Sequence, residues 1–434
     1  MNTSSRLSSE RDNHYDVIIA GGGMVGISFA LALNHLSCGG LKILIAESFA
    51  IPSSAPTQPL YRPSFDARAT ALSYGSRCIL DNLGVWHTLE QHLAAITTIH
   101  VSERNRFGSV NLTAAERGWP ALGYVVENAW LGNVLANELR RHRVIELLSS
   151  ATVIDCQPGI HCAQVTIEHS GEQRQFTTNL LAIADGANST LRGKLNIGIR
   201  ERDYQRQAVV ATICCSKLND GCAYERFTDW GPMALLPLTT SGPLNDSSAS
   251  NQLRMALVWT MSAERAQRLL AAADGVFLNT LQQRFGNRQG QFTRIGERHC
   301  YDLKFVAAEE QIRRQIVLIG NAAHSLHPVA GQGFNLALRD MQRLAEVICT
   351  AARNGETIGE LNVLQRYRQR QAVDQWKTVL FSDRITALFE RPGSISGGIR
   401  HLGLLALDLN IELKNRFIDQ TAGFHPGAAL GNYS

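Results

Sequence analysis

Two glycine-rich stretches carry the residue types best suited to hold a phosphate or a developing anion. The first is Gly21-Gly22-Gly23-Met24-Val25-Gly26, which follows the apolar run Tyr15–Ala20 and opens the apolar segment Ile27–Leu33. Its G-x-G-x-x-G spacing lies between a buried strand and a helix. There Gly21 permits a tight turn, Gly23 lets a pyrophosphate reach the backbone, and Gly26 lets the helix lie close on the strand. A second strand, Lys42–Ala46, ends at Glu47, whose carboxylate would accept a hydrogen bond from a ribose hydroxyl. The other stretch is Val317–Asp340. A strand-length run, Ile316–Ile319, leads through Gly320, Asn321, Ala322 and Ala323 and the kinked Leu326-His327-Pro328 to Gly331-Gln332-Gly333. An apolar-periodic helix starts there, with Phe334, Leu336, Ala337, Leu338, Met341 and Leu344. Glycines at a helix start expose bare N–H groups at the positive end of the helix dipole, which suits a ligand that becomes anionic as it reacts. Taken alone, the same pattern also fits an ordinary strand–loop–helix junction.

A third junction places an acid and a cation at one sheet edge. Leu180–Ala184 is a continuous apolar run, followed by Asp185-Gly186-Ala187-Asn188-Ser189-Thr190-Leu191-Arg192. A turn with Asn188 or Ser189 capping a helix accounts for it equally well. Phe65–Leu83 reads as a loop running into a helix. Its Arg68 would meet a phosphate or a flavin edge, or else pair with Asp66 or Asp81. Leu122–Glu127 reads as a strand and Asn128–Arg140 as an amphipathic helix. His324 and His327 lie beside the third glycine loop, where a hydrogen-bonded structural histidine is the plainer reading. No residue presents itself as a catalytic acid or base.

The elements that must position these residues follow from the rest of the chain. With 434 residues, 44% apolar and 18% charged, the protein is long enough for a sizeable core and two or three domains. The net charge of +4 comes without a basic run, so nucleic acid is not indicated. The nine cysteines are scattered and lack metal-ligand spacing, which points to reduced thiols in a cytoplasmic protein and to no metal. The polar N-terminus has no signal-peptide core, and no apolar window is long enough to span a membrane. Val144–Leu148, Cys162–Ile167 and Gln175–Thr178 read as strands. So do Gln207–Cys215, Tyr224–Thr228, Met233–Leu238 and Leu253–Met261, joined by polar turns that include the low-complexity loop Ser241–Asn251. Helical patterns return at Ser262–Ala272 and Val276–Phe285. Beyond Gly355 the chain reads as helical, with Leu364, Tyr367, Trp376, Leu380, Phe381, Leu388 and Phe389 as its apolar positions; a packed cap is expected, with an amphipathic partner or membrane surface as the alternative. The expected fold is mixed α/β. A Rossmann-like parallel sheet (14–200 and 295–355) receives an inserted antiparallel-sheet substrate domain (201–294), and a C-terminal helical segment (356–434) follows.

Together, Gly21–Gly26 with Glu47, Asp185-Gly186 with Arg192, and Gly320–Asn335 resemble the class A flavoprotein monooxygenases. In that aromatic-hydroxylase family a G-x-G-x-x-G, a D-G and a G-D motif hold non-covalent FAD in this chain order. The likeness spans residues 14–400. Pro328–Leu336, Pro-x-Ala-Gly-Gln-Gly-x-Asn-Leu, has the wording of the ubiquinone-biosynthesis branch. Gly320–Ala323, Leu326–Pro328 and Ile96–Ser102 have that of one hydroxylase within it. The resemblance implies that FAD is held by Gly21, Gly23, Gly26, Glu47, Asp185, Gly186, Arg192, Gly320, Asn321, Pro328, Gly331, Gln332, Gly333 and Asn335, with Arg68 and Asn128 carried over from the family. It implies NAD(P)H as a transient reductant visiting near Arg192 or Arg68, O2, and a polyprenylated phenol held by residues 207–261. It also implies association with other ubiquinone-biosynthesis proteins and leaves open a peripheral contact with the inner membrane face. Asn321 stands where most of the family has Asp; it keeps an acceptor and loses the charge. Three other readings stay open: an FAD-dependent isoprenoid reductase of the same fold, a non-catalytic scaffold, and a membrane-surface binding module resting on the C-terminal helices.

Overall fold

The structure is a computed structural model that describes residues 13–51, 68–105, 108–217, 219–239, 253–325, 332–390, 415, 418 and 419. Five strands form a parallel array in the order Ile316–Leu318, Glu172–Ile183, His14–Ala20, Ile43–Glu47 and Ile145–Ser149. Their near-continuous apolar sequences are required because both faces are covered. On one face Val17, Ile19, Ile43, Ile45, Leu180 and Val317 pack beneath helices Met24–Leu36 and Gln332–Arg353. On the other, Ile18, Leu44, Leu181 and Leu318 meet Val153, Val165 and Ile167. Those last residues belong to strands Ala151–Gln157 and Ala163–His169, which continue antiparallel onto the first half of Glu172–Ile183. That strand is unbroken, where the sequence suggested two pieces.

A second eight-stranded sheet is antiparallel along most of its width. Its order is His324–Ser325, Phe292–Ala308, Ile199–Cys215, Leu253–Ser262, Pro232–Pro237, Cys222–Phe227, Thr98–Glu103 and Ser109–Thr113. Helices Ala263–Ala271 and Asp274–Phe285 cover one face through Trp259, Phe277, Leu281 and Phe285. The other face meets a three-stranded sheet of Ala69–Ser73, Gly123–Glu127 and Ala94–Ile96. Phe292–Ala308 and His324–Ser325 belong to this sheet although the sequence places 295–355 in the first domain, and the last two strands of the sheet come from 98–113, also inside that domain's expected span. They join through a parallel pairing with Cys222–Phe227, which needs a long crossover and leaves no local turn signal. Strand Ala69–Ser73 also replaces part of the loop expected before helix Tyr74–Asn82. A buried ion pair, Arg254 Nη1 to Glu127 Oε1 at 2.7 Å, ties the two sheets together.

The C-terminal helix Leu361–Glu390 packs on Gln332–Arg353. Its buried track is Leu364, Tyr367, Gln371, Asp374 and Thr378, at helical spacing. Trp376 lies off this track and is 63% exposed, so the expectation that it packs is corrected. The side chains of Phe381, Leu388 and Phe389, like residues 391–414, fall outside the described residues, as does the loop 241–251. Polar groups are buried in this helix contact. Asp374 accepts two bonds from Arg339 (Nε at 2.9 Å, Nη2 at 3.2 Å) and one from Arg343 (2.5 Å). Tyr367 donates to Asp340 Oδ1 at 2.5 Å and accepts from Gln311 at 2.8 Å. Burial pushes the Asp340 carboxyl up to about 7, against the lowering effects of Tyr367, Arg343 and Arg339. Among the described residues no helix is long and apolar enough to cross a membrane.

A pH prediction follows from Asp340. An acid whose folded pKa is raised binds a proton more readily folded than unfolded, so its contribution is complete below its unfolded value and is lost as pH rises through the folded value. Asp340 is therefore expected to make the protein less stable between about pH 4 and 7. Urea unfolding at pH 5 and 7.5 should show Asp340→Asn gaining stability relative to wild type across that interval. A constant difference at the two pH values would refute the assignment.

Candidate functional site

The three loops singled out in the sequence leave the carboxyl ends of adjacent parallel strands. Gly21 has φ +110°, donates its N–H to the Ala46 carbonyl at 2.8 Å, and lies so close to the neighbouring strand that a Cβ would fall 2.5 Å from the Ala184 oxygen. A Cβ on Gly26 would fall 1.9 Å from the Gly21 oxygen. Helix Met24–Leu36 starts at Gly23 with no side-chain cap and no acid in its first turn. Its leading N–H groups are thus left for a ligand, and the space beside Gly23 is open. Glu47 is buried at the end of its strand. Its Oε2 accepts the Gly22 N–H at 2.5 Å, and its Oε1 accepts the Phe49 N–H at 2.8 Å and the Ser48 hydroxyl at 3.2 Å. A carboxylate offers about four acceptor positions, so room remains for a sugar hydroxyl.

The second and third loops are clamped together by Arg192. Its guanidinium, buried, donates to the Ala322 carbonyl at 2.8 Å and to the Ala187 carbonyl at 2.9 Å. Arg192 therefore shapes the wall of the crevice, and two of its donors are spent before any ligand arrives. Ser189 caps the short helix by accepting the Arg192 N–H at 3.0 Å, so the capping reading of this stretch also holds. Gly186, at φ +94°, turns the chain and leaves Asp185 on an open lip. The protein packed around the Asp185 carboxyl still raises its pKa, outweighing the bonds from Ser189 and the Asp185 and Leu191 amides and the charge of Arg192. Gly320, at φ +59°, sits where a Cβ would come 3.1 Å from Val25 Cγ1, so the third loop rests against the first turn of the glycine-loop helix. Asn321 follows it, exposed, with no hydrogen bond among the described residues.

The remaining expected residues divide by what they touch. Asn128 donates its N–H to the Arg68 carbonyl at 3.0 Å and accepts the Thr70 hydroxyl at 2.7 Å, so Asn128 and Arg68 stand side by side, Arg68 exposed. Gln332 is buried at the helix start, and the space around Gly333 is open. Asn335 is engaged elsewhere: its Oδ1 accepts the Ser73 N–H at 2.9 Å and the Ser76 hydroxyl at 2.7 Å, while Nδ2 donates to the Ala71 carbonyl at 2.8 Å. It staples the helix to strand Ala69–Ser73, a role that the motif does not reveal. Pro328, Gly331 and His327 lie outside the described residues. His324 is buried, and burial lowers its pKa to about 4, with Asp374 opposing and Arg339 assisting; it is neutral at pH 7. Its Nε2 lacks a partner among the described residues, so the expectation of a hydrogen-bonded histidine is not met at that atom. Sequence reading also missed Arg254 and Glu127, which are far apart in the chain and carry no motif.

Beside that ion pair, a cavity of about 490 Å³ lies between the small sheet and the large one, lined by Leu93, Ala94, Thr97, Leu238, Leu253 and Arg254 among others. Its walls combine apolar side chains with a few polar groups.

The chain is similar to known proteins over most of its length. The family described as "FAD binding domain" matches residues 14–382. An uncharacterized protein of Synechocystis is 34% identical over 93% of this chain and 91% of its own length. The ubiquinone hydroxylase UbiL of Rhodospirillum rubrum is 30% identical over 96% of this chain and 91% of its own. The p-nitrophenol 4-monooxygenase PnpA of Pseudomonas putida shares the fold, with a TM-score of 0.72 and 15% identity over 94% of this chain and 99% of that one.

Two substitutions test the crevice by titrating the purified protein with FAD and following flavin fluorescence. Glu47→Gln, which keeps the shape and removes the charge, should weaken FAD about 10- to 100-fold, as expected for a hydrogen bond to a charged group. Gly26→Ala should abolish measurable binding, because the helix must lift from Gly21. Unchanged affinity in both variants would place the cofactor elsewhere.

Proposed function

The chain belongs to the FAD-dependent aromatic monooxygenases, in the branch that hydroxylates ubiquinone precursors, and from that premise we propose that it oxygenates a polyprenylated phenol. The substrate favoured by the wording of Gly320–Ala323, Leu326–Pro328 and Ile96–Ser102 is 2-octaprenyl-6-methoxyphenol, converted to 2-octaprenyl-6-methoxy-1,4-benzoquinol. The observation that carries this reading is the meeting of the three loops at one sheet edge, in a domain on which a second sheet packs through Ile96, Val125, Ala223, Leu238 and Ala256. UbiL, named as a ubiquinone hydroxylase, supports the substrate class.

The residues fit FAD on features of the chain itself. The uncapped start of helix Met24–Leu36, with clear space at Gly23, suits a pyrophosphate. Glu47 has an acceptor to spare for a ribose hydroxyl, and Asp185 and Asn321 offer polar atoms to a polyol on the lip. When bound, FAD supplies the redox chemistry that activates O2 with electrons from NAD(P)H. What the chain contributes is binding, orientation and exclusion of water. Gly21, Gly22 and Gly26 bring backbone within reach of the dinucleotide, Arg192 fixes the spacing of the second and third loops, and Asn335 fixes the helix that begins at Gln332. The start of that helix would favour negative charge on the ring system, where the reduced cofactor carries it. Arg68 and Asn128, which stand side by side, would contact the cofactor as well. The cavity beside Arg254 would take a prenyl tail along Leu93, Leu238 and Leu253.

The test is reconstitution. The protein with FAD should show flavin bands that NAD(P)H bleaches and air restores, faster with a prenylated methoxyphenol, and the product should gain one atom of labelled oxygen from O2. Flavin binding without oxygenated product would move the reading to an isoprenoid oxidoreductase. A chain that takes up no FAD would be a scaffold.

A further inference from the structure

Among the described residues, the face of the large sheet turned toward the cofactor domain carries one carboxylate with no polar partner. Residues in register cross the sheet as Val101, Glu225, Ala234, Val258, Val210 and His299. Side chains alternate along each strand, so Glu225 shares its face with Ala223. Ala223 packs with Ile96, Val125, Leu238 and Ala256 against the small sheet of the first domain. Tyr224 points the other way, toward Phe285 beneath the covering helices. Glu225 thus stands on the front of the sheet, flanked across the strands by Val101 and Ala234.

No hydrogen bond or ion pair engages Glu225 among the described residues. Other charged groups on that face lie apart from it. Glu103 is opposite Phe227, two residues along; His299 ends the row four strands away; Arg254 belongs to a more distant row and is held by Glu127. The residue is only partly open to solvent, and burial alone pushes its carboxyl up to about 7. A carboxylate kept in an apolar row without a partner is costly, and nothing in the packing is improved by it. Groups of this kind cluster where a ligand completes them.

We propose that Glu225 is the catalytic base that accepts the hydroxyl proton of the phenol, an assignment that rests on the function proposed above. The proton passes from the phenol oxygen to the Glu225 carboxylate, and the electron pair stays on the oxygen and spreads into the ring. The ring carbon then bonds an oxygen atom derived from O2, and its own hydrogen leaves as a proton when aromaticity returns. Overall, phenol, O2, NAD(P)H and a proton give the hydroxylated phenol, NAD(P)+ and water. Val101, Ala234 and Val258 supply the apolar surround that keeps the carboxylate basic enough for this near neutral pH.

The test uses the full chain loaded with FAD. Binding of a short-chain 2-prenyl-6-methoxyphenol and of its methyl ether is followed by flavin absorbance without reductant. Wild type should prefer the phenol about 10- to 100-fold at pH 8, and Glu225→Gln should reduce that preference below about threefold while keeping the flavin spectrum. Product formation by Glu225→Gln should fall about 100-fold or more; kcat/KM of wild type should rise through about pH 7, and that rise should flatten in the variant. Glu225→Asp, which keeps the charge, should recover part of both signals. A wild type indifferent to methylation, or a Glu225→Gln variant that keeps the preference and the rate, overturns the assignment. Preference that follows Glu225 in a wild type yielding no hydroxylated product would leave Glu225 as the phenol contact and defeat the monooxygenase reading instead.

Discussion

A backbone-to-backbone approach governs the whole edge at which the three loops meet. At Gly21 two parallel strands come together with no space for a Cβ against Ala184, and at Gly26 the following helix lies directly on the Gly21 carbonyl. Only glycine allows both the positive φ and the proximity. Other contacts at the edge follow from that spacing. Gly22 can reach Glu47 because the loop is held flat, and a Cβ there would come 2.9 Å from the Glu47 Cβ. Val25 can support Gly320 because the helix starts so low. Arg192 can bridge Ala187 and Ala322 because their parent strands are hydrogen-bonded neighbours. A side chain at either glycine would move all three loops, although it touched only one.

The helix beginning at Gln332 is fixed by a different device. Its apolar stripe packs on the sheet, but three buried polar sets decide its rotation and height: Asn335 with Ser73 and Ser76, Asp340 with Tyr367, and Arg339 with Asp374. Apolar surfaces tolerate sliding, whereas a bidentate pair is satisfied in one arrangement. Such pairs add little net stability over a well-packed apolar alternative. Their effect here is to hold the helix start in one place at the crevice.

Legibility in the sequence tracked the range of the interactions. The parallel strands were readable because burial on both faces forces continuous apolar runs, and the glycine loops because backbone geometry restricts residue type locally. Strands Ala69–Ser73 and Ala151–Gln157 escaped, since Ala-Thr-Ala-Leu-Ser and Ala-Thr-Val-Ile-Asp-Cys-Gln show weak alternation and gain their burial from distant partners. The placement of 98–113 in the large sheet depends on a pairing more than a hundred residues away. Asn335 and Arg192 were singled out in the sequence for a cofactor site, yet the contacts they make in the fold were not legible there, because a motif shows the residue type and not the direction of its side chain. Trp376 failed for the opposite reason. Its apolar character suggested the core, while polar Gln371, Asp374 and Thr378 occupy the buried track.

The asparagine at 321 makes physical sense in this setting. Asp185 and Asn321 leave adjacent strands at the same edge, and both stand on the open lip. The surroundings of Asp185 already disfavour its charge, and the buried Glu47 carboxylate holds the neighbouring loop. A further carboxylate would add repulsion to a crevice suited to a pyrophosphate and to a ring system that becomes anionic. An amide keeps the acceptor needed by a hydroxyl and adds a donor, at no electrostatic cost. The departure from the family pattern therefore leaves the hydrogen-bonding capacity of the lip intact while removing one negative charge from it.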